Sequence, residues 1–206
     1  MPTRSDRATD PRPARTRNAL LDAVQHIAEA GEAVTLAQVL STSGVSRSSF
    51  YMHFTGLDDL ALTMLVREFS AISEGDVVDR ATGADDVRAI ARRAASRLIV
   101  FVHEKRDMYR AALDGHLSTQ SADALVDAFA RAVLRSMDFL DDPPPAALDH
   151  SGHARFIAGG AITLLRDWLR ADRPVPPDVM TDRLIAAMPT WLVGETEDPS
   201  SKGTHS

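Results

Sequence analysis

Between positions 46 and 53 the chain reads Ser-Arg-Ser-Ser-Phe-Tyr-Met-His, side chains suited to contact with a nucleic-acid duplex. The guanidinium of Arg47 can donate two parallel hydrogen bonds to guanine O6 and N7, or clamp a phosphate. Ser48 and Ser49 are short hydroxyls at a helix start, where backbone N–H groups already attract phosphate. Tyr51 and His53 carry donors that reach the sugar–phosphate backbone beside a groove. Val45 and Phe50 are apolar and are expected to seat the segment on Val39 and Val24.

These side chains act together only on a short helix held at a fixed angle, and the flanking residues predict one. Thr35-Leu36-Ala37-Gln38 is a capping box: the Thr hydroxyl takes an orphan N–H and Gln reaches back to the cap. It opens a helix with Leu36, Val39 and Leu40 on its apolar side. Ser43-Gly44-Val45 breaks that helix after two turns, and Ser46 caps the next, Arg47 to His53. Two short helices joined by a Gly turn form a helix-turn-helix, whose second helix enters the major groove. Such pairs also occur in helical bundles where Tyr, His and Phe simply pack, so the spacing alone leaves both readings open.

Charge is distributed unevenly. The net charge is −6, yet residues 1–54 carry +1, the remainder −7, and the first 17 residues alone +3. A mildly basic head on an acidic body suits a protein that touches phosphates with one end, with Arg15 and Arg17 as further phosphate candidates. Apolar residues at 44% and charged residues at 25% argue for a globular chain. Alanine occurs 31 times against 11 Gly and 11 Pro, which leans all-α. No apolar run approaches the roughly 18 to 20 residues of a membrane helix. The polar N-terminus does not read as a secretory signal, so a cytoplasmic location and no membrane partner are expected. The absence of cysteine excludes disulfides, thiolate zinc sites, iron–sulfur clusters and a Cys nucleophile.

Hydrophobic spacing predicts about nine helices and no strand. Residues 1–14 read as a disordered arm. A helix from Thr16 ends at Gly31; after the two short helices comes an amphipathic one with Leu57, Leu60, Ala61, Met64, Leu65, Phe69 and Ile72 on one stripe. A polar stretch, Ser73 to Ala84, separates it from Val87–Val102. Further helices are expected from Arg106 to Leu113, along Leu125–Leu140, over Gly152–Arg170 and from about Asp178, with Pro189 kinking or ending the last. The loop 141–151 holds three consecutive prolines, and residues 195–206 read as a disordered tail.

The run Thr35…Gly44-Val45-Ser46…Phe50-Tyr51-Met52-His53-Phe54, followed by Leu60, resembles the TetR family of bacterial transcriptional regulators. The likeness is strong over about residues 16–70; beyond them only the layout and Phe156-Ile157-Ala158-Gly159-Gly160…Trp168 are similar. It implies an all-α protein with an arm and helix-turn-helix head at 1–56, and an effector-binding and dimerisation body at 57–194. It further implies a homodimer on a palindromic operator, a small-molecule effector and, by family default, repression. The alternative is a helical ligand-binding or protein-interaction module that no longer binds DNA. Carried over by position, the DNA contacts fall on Thr35, Arg47, Ser48, Ser49, Tyr51 and His53. Leu57 stands where the family usually has a phosphate-binding Lys, and Ala37 where a basic residue is common, which predicts fewer phosphate contacts and a larger share for Arg15 and Arg17.

The resemblance also implies an effector pocket among the middle helices. Phe101, His103, Met108, Tyr109, His116, Phe129, Met137 and Phe156 supply the apolar and hydrogen-bonding mix that pockets show, as does any helical core. Gly159 and Gly160 each cost about 1 kcal/mol in mid-helix relative to Ala, so close helix approach or room for a ligand should compensate. The family's dimer packing through the last two helices points to Gly159, Gly160, Leu165, Trp168, Leu184, Met188 and Trp191 as interface or adjacent core. His150 and His153 beside Asp149 lack a third ligand at suitable spacing and read better as helix caps than as a metal site. With no phosphate loop, di-iron motif or nucleophile elbow, neither an enzyme nor a cofactor is expected.

Overall fold

The structure, a computed structural model, describes residues 11–83, 85–114, 119–140 and 149–194. All regular structure among these residues is helical. The elements are α1 (Pro11–Glu29), α2 (Leu36–Ser43), α3 (Arg47–His53), α4 (Leu57–Thr82), α5 (Val87–Glu104), α6 (Arg106–Asp114), α7 (Thr119–Met137), α8 (His150–Arg170), α9 (Pro177–Ala187) and α10 (Thr190–Val193). The chain is therefore all-α, with a three-helix head at its N-terminal end and a helical body.

The head closes around Leu20, Val24, Ile27, Val39, Phe50 and Phe54, all buried, with Val45 half-buried against them. Phe50 is fully enclosed at 0% exposure, which makes it the peg that holds α3 against α1 and α2. Leu60 and Met64 from α4 join this core, whereas Leu62, Leu65 and Phe69, further along the same helix, belong to the body's. One helix of 26 residues, about 39 Å at 1.5 Å per residue, thus runs through both parts. In the body α4 packs on α5, α6 and α7; α7 packs on α8, and α5 on α9.

Several helix limits differ from the sequence expectation, each for a local reason. Helix α1 begins at Pro11, not Thr16, because proline in a first turn forfeits only N–H groups that would be unsatisfied anyway. Arg15 and Arg17 accordingly sit on a helix rather than on a loose arm. Helix α4 continues ten residues past Ile72 through the polar stretch, because Ser73 and Asp76 are buried and partnered inside the body. Asp149 caps α8 by accepting from the Ser151 and Gly152 N–H groups (both 3.2 Å), so that helix starts at His150. Pro189 does end α9: Met188 is its C-cap, and Trp191 falls in α10.

Candidate functional site

The turn between α2 and α3 is built by Gly44, whose φ of 66° lies in the left-handed region that favours glycine. The Val45 N–H donates to Ser43 Oγ (3.2 Å), tightening the corner. Ser46 Oγ accepts from the Ser49 N–H at 3.2 Å and caps α3, as expected; such a cap contributes about 1 kcal/mol. Thr35 Oγ1 accepts from the Gln38 N–H (3.3 Å) and caps α2. Gln38, however, accepts the Thr35 hydroxyl (2.7 Å) and donates to Glu32 (3.1 Å), so its reach is to side chains.

With Phe50 turned inward, the other face of α3 is open. Arg47 and Ser48 are exposed, Ser49 and His53 are half-buried, and Tyr51 and Met52 are 52% and 82% exposed. The Tyr51 ring meets the Phe50 ring edge-on, with centroids 5.3 Å apart. Ser46 Oγ and Ser48 Oγ lie 3.1 Å apart, placing two hydroxyls side by side at the amino end of α3. Thr35 is exposed at the start of α2. Leu57 is half-buried against the head core, and Asp59 beside it accepts from the Thr55 N–H (2.9 Å), so the start of α4 offers no cation here. Arg15 and Arg17 are both exposed; Arg17 also donates to Thr63 Oγ1 (3.3 Å) and lies 5.4 Å over the Phe54 ring.

The body holds a partly open pocket of about 110 Å³ between α4, α5, α7, α9 and α10. Phe69, Leu98, Phe129, Val133 and Met188 form much of its apolar wall; Ser73, Asp76, Arg80 and Ser136 form one polar edge. Phe69 and Phe129 stack at 4.8 Å. Asp76 Oδ2 accepts from Arg80 Nε at 2.8 Å and from Ser136 Oγ at 2.7 Å.

Of the expected pocket residues, Phe129 lines this cavity and the others that are described do not. Phe156 is 78% exposed, on the outer side of α8 away from the stripe of Ala154, Ile157, Ala158 and Ala161 that it buries. His103 is exposed, its ring 5.7 Å from Trp168. Met137 packs in a neighbouring cluster with Val133 and Ile157. Phe101, Met108 and Tyr109 gather near the α5–α6 corner, where the buried Lys105 ammonium lies 4.3 Å over the Phe101 ring and 3.7 Å from Glu104. Burial raises the Tyr109 hydroxyl far above its usual pKa, and burial also raises that of Glu68, against the opposing pull of Lys105. Met108 touches the head and body cores alike. His116 lies outside the described residues. Sequence reasoning missed Ser73, Asp76, Arg80 and Ser136; the Asp76/Arg80 spacing of four, an ion pair on any helix, was the available signal.

The residues expected at a dimer interface divide. Leu165, Trp168 and Leu184 are buried in the protomer's own core, and the Trp168 indole donates to the Val175 carbonyl (2.8 Å), tying α8 to the α8–α9 connection. Trp191 is half-buried, 5.9 Å from the His153 ring. Gly159 and Gly160 face outward: a Cβ on either would meet no atom within 4 Å. With Phe156, Leu164, Met188 and Pro189 they line an open, mainly apolar groove between α8 and α9. No group of three or more potential metal ligands occurs among the described residues.

No family model matches the chain, and no characterised protein sequence matches it. Its fold is shared by a solved structure at a TM-score of 0.50. The transcriptional regulator FadR from Bacillus subtilis, in complex with stearoyl-CoA, matches at 12% identity over 89% of this chain and 99% of its own, with a TM-score of 0.50. SCO7518 from Streptomyces coelicolor A3(2), assigned as a transcriptional regulator, matches at 22% identity over 85% of this chain and 97% of its own, with a TM-score of 0.43. At these identities the likeness to FadR is one of fold.

Proposed function

We propose that this chain is a TetR-like transcriptional regulator that binds a palindromic operator as a homodimer and is released, or altered, by a small-molecule effector in the body. The observation that carries the reading is the division of α3: Phe50 fully enclosed, while Arg47, Ser48 and Tyr51 stand outward on a capped, rigidly seated helix. A helix seated this way can enter a major groove amino end first, with Arg47 toward the base edges and Tyr51 and His53 toward phosphates. The open α8–α9 groove supports a homodimer, because its two glycines leave room that the protomer itself does not fill. That FadR was solved with stearoyl-CoA supports a small-molecule effector, and the body cavity is the candidate site. Repression is the default action.

Helix α4 couples the two functions. Its first turns complete the seat of α3, and its last turns carry Asp76 and Arg80 at the cavity. A ligand that moves the carboxyl end of α4 tilts the recognition helices, which must sit about 34–36 Å apart to reach successive major grooves. Selection of random duplex DNA with the purified full-length protein tests the reading. Recovery of a two-fold symmetric motif is the expected result. Failure to enrich any sequence would favour a body that has kept the head without DNA binding, as Leu57 and Ala37 would suit.

A further inference from the structure

The polar edge of the body cavity holds a donor with nothing to bind. The Arg80 side chain is 3% exposed. Its Nε donates to Asp76 Oδ2 (2.8 Å) and one Nη2 hydrogen reaches the Leu192 carbonyl (3.5 Å). Nη1 is buried and has no hydrogen-bond partner among the described residues. Buried donors are nearly always paired, so this one points to an acceptor that arrives from outside the chain. The surrounding charge says which kind. Asp76 already accepts from two donors, and Asp79 on the same helix faces Arg93 (3.5 Å). A second guanidinium, that of Arg135, is anchored by its Nε to Ser73 Oγ (3.0 Å) on the same edge. Asp76 is the one buried carboxylate at this edge, while Asp79 and Asp85 share Arg93 on the exposed side, so the Arg80 guanidinium has no second buried anion to meet among the described residues.

Shape gives the remainder of the ligand. The other walls are apolar, with the Phe69–Phe129 stack, Leu98 and Met188. A pocket of about 110 Å³ is somewhat smaller than the 150 Å³ that holds one benzene, so the buried part of its occupant has about four to five non-hydrogen atoms. We propose that the effector is a small monocarboxylate with a short hydrocarbon tail, one carboxylate oxygen accepting from Arg80 Nη1 and the tail lying against Phe69 and Phe129. This rests on the reading of the cavity as the effector site and names the class of molecule it takes.

Calorimetric titration of the full-length protein with pentanoate, 1-pentanol and decanoate tests it without DNA. Pentanoate should bind one per protomer, and at least about tenfold more tightly than 1-pentanol, because only the acid brings a negative charge to the guanidinium. Decanoate, whose tail exceeds the pocket, should bind no more tightly than pentanoate. Arg80→Met removes the cation and its Nη1 donor together, and should erase the preference for the acid over the alcohol. Ala132→Leu narrows the cavity without touching a charge, and should abolish binding of both; it decides the matter if the Arg80 variant does not fold. Equal binding of acid and alcohol, no binding of pentanoate, or pentanoate binding that survives Ala132→Leu would overturn the proposal. Pentanoate that binds as described yet leaves affinity for the selected duplex unchanged would uphold the carboxylate site and count against the effector role.

Discussion

In the head, the side chains suited to a partner stand outward from a small core in which Phe50 and Phe54 hold α3. In the body the arrangement is reversed: the polar groups suited to a partner are enclosed, and the outer surface carries an apolar groove. The difference follows from the partners each region would meet. A polyanion is read from outside by side chains that remain solvated until contact, whereas a small ligand must be desolvated by the protein that encloses it. Stability is therefore entangled with function differently in the two regions. The head's contact residues can be removed at little structural cost, while the body's polar residues cannot.

The largest effects should come from the enclosed groups of each region. Phe50→Ala removes the peg of α3 and should cost about 3–5 kcal/mol of stability, measured by urea denaturation. DNA binding should be lost while pentanoate binding survives, since α4 to α10 keep their own cores. Asp76→Ala should cost a similar 3–5 kcal/mol, because it strands the Arg80 guanidinium inside the body. Replacing both Asp76 and Arg80 by Leu and Met should recover most of that stability, since a buried ion pair often contributes little net. A double variant as unstable as Asp76→Ala would show that the pair is needed for the fold, and would weaken the contrast between regions.

Gly160→Leu should perturb the protomer little, because its Cβ meets open space, yet it should shift sedimentation toward monomer if α8 and α9 pack across a two-fold axis. A variant that stays dimeric would remove this face from the interface. The smallest effect belongs to the head. Arg15→Ala should lower the slope of log K against log salt by about one per subunit and leave the thermal midpoint unchanged, since Arg15 is exposed. Arg17 is tied to Thr63 and Phe54, so its replacement should also loosen the packing of α1 on α4.

The same contrast explains what could be read in advance. The head's signals are local: Thr35, Gly44, Ser46 and Phe50 lie within sixteen consecutive residues, and each dictates a cap, a turn or a seat by its own chemistry. The body's cavity depends on the phase of five helices at once. Ser73, Asp76 and Arg80 interrupt the apolar stripe yet lie within the helix, because pairing makes buried polar groups tolerable. Phe156 was assigned by its aromatic type, although its offset from Ala154, Ile157, Ala158 and Ala161 places it on the outer face. Pro11 and Pro13 concealed the start of α1 for the opposite reason, being breakers at the one end of a helix where proline is harmless.

On the proposed function, the outward face of α3 reads DNA, with Arg47 as the reader of bases and Tyr51 as a positioning contact. The most direct test compares Arg47→Ala and Tyr51→Phe with the parent protein across single-base variants of the selected duplex, at one fixed salt concentration. Arg47→Ala should lose about 1–3 kcal/mol per half-site and become indifferent to the base at one symmetric pair of positions. Tyr51→Phe should weaken every duplex alike and leave the order of preference intact. An Arg47→Ala protein that binds all variants more weakly by the same factor, with its preferences unaltered, would contradict the assignment and make Arg47 a phosphate clamp.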